Sequence, residues 1–405
     1  MRETMPSTAA VVHRPQVVTA ALAAVRSVLG ETANTLPLHE PEFAGREWEY
    51  VKDCIDTGWV SSVGSYVDRF ERDLCACTGA AHAVATSNGT SALHICLLLA
   101  GVKPGDEVLM PALTFIATAN AASYANAVPH FVDSEAVSLG VDAAMLDAHL
   151  RDTARLANGE CINQRTGAVI RALVVMHVFG HPADLDALAE VAQRWRLVLI
   201  EDAAESLGSS YRGRHTGNVG LLSALSFNGN KVITTGGGGA VLTNDAALGR
   251  RAKHLTTTAR TPHRWNFLHD EVGYNYRLPN LNAALGCAQL ERLPSMLERK
   301  RALARRYADA FANVDGARFL LEPEGTLSNY WLNAIVLDDP VAFARDDLLA
   351  ALNDAGFMSR PLWTLMHRLP MYSSCPRADL SLAEQMEARV INLPSSAKLG
   401  SRDGQ

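Results

Sequence analysis

The chain has 405 residues, 48% of them hydrophobic and 20% charged, with a formal net charge of −6. A chain of that size and balance buries a large core in two or three structural units, and its acidic surplus offers no basic footprint for nucleic acid. The seven cysteines (Cys54, Cys75, Cys77, Cys96, Cys161, Cys287, Cys375) form no CxxC pair, so neither a zinc ribbon nor a disulfide framework is expected and a reducing cytoplasm fits best.

In chain order, residues 1–36 read as an N-terminal helical extension. Val17, Leu22, Val25 and Leu29 recur at roughly helical spacing, and the signature of a cleaved signal peptide is missing. No apolar run reaches membrane-spanning length. From Glu71 to about Ala240, β-branched runs alternate with helical stretches. A strand over 83–86 precedes a helix over 91–100; a strand over 107–110 precedes a helix over 115–124; a strand over 128–132 follows. Residues 171–178 and 197–202 are continuous apolar runs, as expected of strands covered on both faces. The helix predicted over 184–196 is their crossover. The fold class is therefore α/β, with a mostly parallel sheet between helices. A polar stretch over 256–269 and a long helix over 281–311 follow, then short strands such as 334–337 and a helix over 342–355 that form a smaller α+β unit. The expected division is a large domain over 37–290 and a small one over 291–405.

In open α/β sheets, ligands gather where strands end and helices begin, and three such ends carry unusual residues. Thr86-Ser-Asn-Gly-Thr-Ser91 offers hydroxyls and helix N-terminal amides to an anion, although an ordinary Ser/Thr cap would read the same way. The strand over 197–200 ends in Glu201-Asp202-Ala-Ala-Glu205, and a carboxylate at the tip of a buried strand calls for a cationic partner unless it merely caps the next helix. A ribose-binding acid is the weaker reading, since no GxGxxG precedes it. Finally, Ser226-Phe-Asn-Gly-Asn-Lys231-Val-Ile-Thr-Thr-Gly-Gly-Gly-Gly239 places one lysine in an apolar segment ahead of four glycines, where the bland reading is a surface hairpin. A Schiff base between Lys231 and pyridoxal phosphate satisfies all three ends together: Asp202 takes the ring nitrogen, and the first helix N-terminus with Ser226 takes the phosphate. The glycines would let backbone pass close to cofactor and substrate. Lys231, once displaced by a substrate amine, would then serve as general base and general acid.

These segments, together with Gly273-Tyr-Asn-Tyr-Arg277, resemble in order and spacing the DegT/DnrJ/EryC1/StrS family of nucleotide-sugar aminotransferases, over about residues 36–393. The resemblance implies a fold-type I pyridoxal phosphate enzyme, a homodimer with active sites at the subunit interface. It implies Lys231 as the Schiff-base lysine, Asp202 as the pyridine partner, Ser226 with Gly89, Thr90 and Ser91 at the phosphate, and Phe115 stacked on the ring. Glu205 falls where the family approaches the cofactor's face or hydroxyl, and Asn275 where an asparagine reaches the phosphate from the other subunit. From residues alone, Phe115 would read as a core aromatic. Some relatives carry histidine in place of the lysine and dehydrate their sugars; Lys231 favours transamination over that lyase chemistry, and no DNA-binding element supports a non-catalytic regulator.

The stretches 58–65 (with Trp59, Ser61 and Ser62), 360–372 and 391–396 resemble the branch that aminates C4 of UDP-linked 4-keto-6-deoxy-N-acetyl sugars for surface glycans, with C3 amination as the alternative. Trp59 and Trp363 offer flat surfaces to a sugar or base, and Arg360 or His367 could meet diphosphate, unless the cluster only packs domains together. Arg277 is the candidate for the carboxylate of the donor L-glutamate, or else a structural salt bridge. His177 and His181 straddle a strand end, with His177 near the cofactor, and no metal is expected.

Overall fold

The computed structural model describes residues 14–401; the remaining parts of the expected extension and C-terminal unit, residues 1–13 and 402–405, lie outside the described residues. The main sheet contains seven strands in a continuous order: β1 (His82–Thr86), β2 (Glu107–Pro111), β3 (Val128–Val132), β4 (Val169–Met176), β5 (Val198–Asp202), β6 (Leu222–Ser226) and β7 (Gly239–Thr243), arranged β1-β7-β6-β5-β4-β2-β3. A hairpin over 154–163 pairs with the first residues of β4. Pairings within β6-β5-β4-β2-β3 are parallel, whereas β7 runs antiparallel to both β1 and β6. The expected parallel sheet thus holds with one reversal.

That reversal positions the site. In the registers Thr86↔Gly239 and Ser226↔Gly239, the first residue of β7 meets the last residues of β1 and β6. The chain after Ser226 therefore turns back on itself at the carboxyl edge of the sheet. Helices cover both faces. On one, α4 (Gly89–Leu99) and α5 (Ile116–Tyr124) join a buried cluster that includes Val84, Val108, Val174 and Ile200; on another, α6 (Ala143–Thr153) and α7 (Leu185–Trp195) pack with Leu109, Leu173 and Leu199. The alternation of neighbours such as Val108 and Leu109 between two cores is the strand period of two expressed on a sheet buried on both sides.

The helix predicted from Ser91 begins two residues earlier, at Gly89, because the Asn88 side chain accepts a hydrogen bond from the Ser91 amide at 2.8 Å and caps the first turn. Phe115 lies outside α5 as its N-cap residue. The long helix α9 (Asn280–Phe311) is continuous across the expected boundary. Its first half (Ala283, Ala284, Cys287, Ala288) packs into the main core, and its last turns (Leu303, Ala304, Tyr307, Phe311) pack into a second core with the four-stranded sheet of β8 (Ala317–Phe319), β9 (Asn333–Leu337), β10 (Arg360–Pro361) and β11 (Val390–Leu393). The helix α1 (Arg14–Leu29) docks on that second core through Val17, Ala21, Ala24, Val25 and Val28. Leu22 and Leu29 of the predicted stripe are only partly buried, since the small alanines let α1 approach α9 closely and rotate the buried face. No described helix is long and apolar enough to cross a membrane.

Candidate active site

At the carboxyl edge a cavity of about 300 Å³ is lined by residues from β4, β5 and β6, the N-termini of α4 and α5, and two tryptophans of the smaller unit. Asp202 ends β5 and is 3% exposed. Burial pushes its carboxyl above the ordinary value. The Thr118 hydroxyl on α5 donates to Oδ2 at 2.7 Å and the Ala204 amide donates to Oδ1 at 3.2 Å, and both pull the other way. Thr114 extends this chain, its hydroxyl 2.9 Å from that of Thr118.

Lys231 reaches the same cavity from the β6–β7 turn with its side chain 12% exposed, its Nζ 3.2 Å from Glu205 Oε1 and 3.8 Å from the centroid of the Trp331 ring. The turn is no free hairpin. Val232 and Ile233 are buried beside Phe227, and the Asn282 side chain donates to the Thr235 carbonyl at 2.7 Å. The Trp331 indole donates to the Asn230 carbonyl at 2.6 Å, fixing the lysine's neighbour from a residue 101 positions on. Glu205 also accepts from the Phe179 amide at 3.0 Å. Burial raises its carboxyl to about 7 while Lys231 draws it down. Glu201, one residue before Asp202, faces the other way. Its oxygens accept from the Gly217, Val219 and Gly220 amides at 2.6–2.7 Å and it sits 3.0 Å from His177 Nε2. Although burial pushes the Glu201 carboxyl up, His177 and these amides hold it below its ordinary value.

The other end of the cavity is a cradle for an anion. The first amides of α4 have no partner inside the helix, and Gly89, Thr90 and Ser226 line the wall beside them. The approach leaves no room for side chains: a Cβ on Gly89 would lie 2.8 Å from Ser226 Cβ, and one on Gly239 would lie 2.5 Å from the Asn88 carbonyl. Of the four glycines, Gly236 alone has a left-handed φ, +78°; Gly239 is required by proximity. An electropositive helix start, a hydroxyl, a partly buried lysine and a buried carboxylate on one cavity form a donor set that fits pyridoxal phosphate, an anion at one end and a basic ring nitrogen at the other.

The structure brings together Asp202, Glu205, Lys231, Ser226, Gly89, Thr90, Phe115 and Trp363. Phe115 is 48% exposed and meets Trp363 edge-on at 6.3 Å, so it is a rim residue and no core aromatic. Ser91 lines no part of the cavity; its amide is used by the Asn88 cap. Trp59 lies in a separate hollow with Asp53, Tyr66 and Asn280, and Ser61 and Ser62 sit beside it in sequence, held by the bond from the Asn280 amide to the Ser61 carbonyl. His367 is turned away, its Nε2 3.1 Å from Glu384. His177 is taken by Glu201, and His181 packs edge-on against Tyr330. Arg277 bridges to Thr86 beside the cradle without reaching the cavity, and Asn275 on the same segment is exposed. Arg360 lines an adjoining cavity. Sequence reasoning missed Thr118, Asn228, Asn230 and Trp331; only the asparagines flanking Lys231 carried a local signal. Among the described residues one trio of candidate metal ligands comes together, His254, Asp270 and Glu271, remote from this cavity, and Arg251 already pairs with Glu271.

The family model for DegT/DnrJ/EryC1/StrS aminotransferases matches residues 41–405. The chain belongs to this family. It is similar to the GDP-perosamine synthase of Caulobacter vibrioides, 37% identical over 366 residues, 90% of this chain and 94% of the relative. It is also similar to EpsN of Bacillus subtilis, a putative pyridoxal phosphate-dependent aminotransferase, 35% identical over 89% of this chain and 91% of the relative. Among solved structures, the aminotransferase TlmJ of Streptoalloteichus hindustanus superposes with a TM-score of 0.80 at 28% identity, covering 89% of this chain and 94% of that one. Membership in the DegT/DnrJ/EryC1/StrS family makes the protein a pyridoxal phosphate-dependent aminotransferase of the nucleotide-sugar class with the fold-type I architecture.

Proposed function

We propose that this aminotransferase converts the C4 ketone of a nucleotide diphosphate-linked 4-keto-6-deoxy hexose to an amine, with L-glutamate as amino donor. The observation that carries the reading is the meeting of Lys231, Asp202 and the α4 N-terminus on one cavity, which supplies the groups that would hold the cofactor. When bound, pyridoxal phosphate withdraws electrons from the carbon bearing the amine. The chain's own residues do the rest. Lys231 would anchor the cofactor and supply the amine that can take and give a proton at the reacting carbon, and Glu205 lies 3.2 Å from that amine. Asp202 would hold the ring-nitrogen proton, and the Thr118 hydroxyl that donates to it favours its ionised form against the effect of burial. Gly89, Thr90 and Ser226 would cradle the phosphate, with Ser91 behind them, and Phe115 would cover the ring.

The motifs around Trp363 and Asn392 support a UDP-linked N-acetyl sugar, whereas relatives named for GDP-perosamine at 36–37% identity support a GDP-linked one; we place the GDP sugar first. Arg360, at the mouth of the adjoining cavity, suits the diphosphate. A homodimer completes the site: Asn275 reaches the partner's cradle and Arg277 the donor carboxylate, and exposed Trp265, Phe267 and Val272 on the neighbouring segment supply apolar surface to bury between subunits.

The test is spectroscopic. Protein loaded with pyridoxal phosphate should be yellow, should bleach with L-glutamate, and should regain colour with the GDP-linked or the UDP-linked 4-keto sugar; Lys231→Ala should not show the cycle. Bleaching without recovery by either sugar would sink the substrate assignment, and amine found at C3 of the product would sink the regiochemistry.

A further inference from the structure

A second cavity of about 340 Å³ adjoins the first and shares Asn230, Trp331 and Trp363 with it. Its remaining wall includes His39, Arg360 and Asn392. His39 lies on the segment leading into the large unit, and Asn392 on β11 stands in register with Arg360 on β10. The segment is pinned on both sides of His39: the Ser395 amide donates to the Leu38 carbonyl at 2.7 Å, and the Glu40 amide donates to the Ser396 hydroxyl at 3.0 Å. His39 and Asn392 are therefore held by the same short stretch, Asn392–Ser396.

Neither residue is satisfied within the chain. Both ring nitrogens of His39 and the amide oxygen of Asn392 are buried without a hydrogen-bond partner, and Asn392 is 3% exposed. Buried polar groups left this way are costly and call for a ligand or water. Their chemistry narrows the ligand. Burial, then Lys300 and Lys231, hold His39 well below its ordinary value, so the ring is neutral, with one donor and one acceptor. With Asn392, whose oxygen accepts and whose amide nitrogen donates, the pair presents acceptors and donors side by side. A carboxylate or phosphate brings no proton to either acceptor; an ammonium meets Arg360 in the same cavity wall as a like charge. A hydroxyl both gives and takes a hydrogen bond and matches the set.

We propose that His39 and Asn392 recognise the ring hydroxyls of the hexose, seating the sugar across the shared Trp331–Trp363 wall so that its ketone faces Lys231. This inference rests on the nucleotide-sugar reading above. The two half-reactions separate its failure from the failure of that reading, because L-glutamate carries no hydroxyl and needs nothing from this subsite.

The experiment measures each half-reaction by stopped-flow absorbance in the holoenzyme, for wild type, His39→Ala, His39→Gln and Asn392→Ala, with binding of an unreactive nucleotide-linked 6-deoxy hexose followed by calorimetry. Loss of a ground-state contact should raise the half-saturating sugar concentration about ten- to a hundredfold for both alanine variants. The glutamate half-reaction should stay within about twofold, and His39→Gln, which keeps a donor and an acceptor, should recover most of the loss. In wild type, a sugar lacking one ring hydroxyl should be penalised to a similar degree, and in His39→Ala or Asn392→Ala that penalty should vanish. Alanine variants that bind the hexose as tightly as wild type, or that keep the full penalty for every deoxy sugar, overturn the subsite while leaving the substrate class intact. A wild type that bleaches with glutamate yet binds no nucleotide-linked hexose overturns both.

Discussion

Replacing glycines one at a time in the run after Lys231 separates a positional requirement from a conformational one. An added Cβ at Gly239 would lie 2.5 Å from the Asn88 carbonyl carbon and oxygen and 2.7 Å from the Gly89 nitrogen, all backbone atoms of the helix start that forms the anion cradle. Carbon contacts relax at about 3.5–4.0 Å, so β7 and α4 must separate by roughly 1 Å, an overpacking cost of about 1–3 kcal/mol. At Gly237 the nearest atom to an added Cβ is the Ser87 carbonyl oxygen at 4.0 Å, an ordinary contact, and the change should stay within about 0.5 kcal/mol. At Gly236 the φ of +78° imposes backbone strain of about 1 kcal/mol or more on alanine, with no displacement of the cradle. Thermal unfolding of the apoprotein together with titration of pyridoxal phosphate should therefore give three outcomes. Gly239→Ala loses both stability and cofactor affinity, Gly236→Ala loses stability alone, and Gly237→Ala loses neither. Equal cofactor affinity for the 237 and 239 variants would refute the proximity argument.

Thr118→Val removes the hydroxyl that favours ionised Asp202; Asp202 should protonate at still higher pH, and the acidic limb of the pH–rate profile should move up by about one unit, so superimposable profiles would show that Thr118 plays no such part. Asp202→Asn should slow turnover far more than it weakens cofactor binding, measured by comparing kcat with the cofactor titration. Glu205→Gln removes a carboxyl that burial raises to about 7 and should abolish any limb near neutrality, which persistence of that limb in the variant would contradict. Lys300 is fully buried, donating to the Trp331 and Ser395 carbonyls at 3.2 and 2.5 Å, with burial lowering it to about 7. Between that value and the ordinary lysine range the unfolded chain binds more protons, so this group makes stability rise with pH; denaturant unfolding of Lys300→Met should lack that rise, and an unchanged difference between pH 7 and pH 10 would count against it.

What could be read from the sequence follows a physical line. Asp202 and Lys231 were legible because each sets a charge where burial is expensive, at the end of an apolar run or inside one, and such a cost marks a residue without knowledge of its neighbours. Residue type alone does not place a side chain on this cavity. Trp59 offers the flat surface Trp363 does, but α2 (Glu47–Thr57) ends at Gly58 with a left-handed turn and carries Trp59 into another hollow. His367 has a carboxylate partner 17 residues on, at Glu384, which no local pattern announces.

The residues that went unread share a second property: their roles are created by pairing of segments distant in the chain. Trp331 meets Lys231 and Asn230, the latter across 101 residues, Thr118 meets Asp202 across 84, and β7 reverses direction with nothing in Ala240-Val-Leu-Thr243 to distinguish it from a parallel neighbour. The half of the site built on the large sheet is thus written in strand ends, where period and burial leave a mark. The half contributed by the smaller unit, Trp331, Trp363, Arg360 and Asn392, consists of side chains unremarkable in their own segments. That division carries a mechanistic consequence. On the proposed reading the legible half would act on the cofactor, whereas the other half and the His39 segment would face the substrate, so a change of sugar would need only substitutions in elements that leave the large sheet untouched.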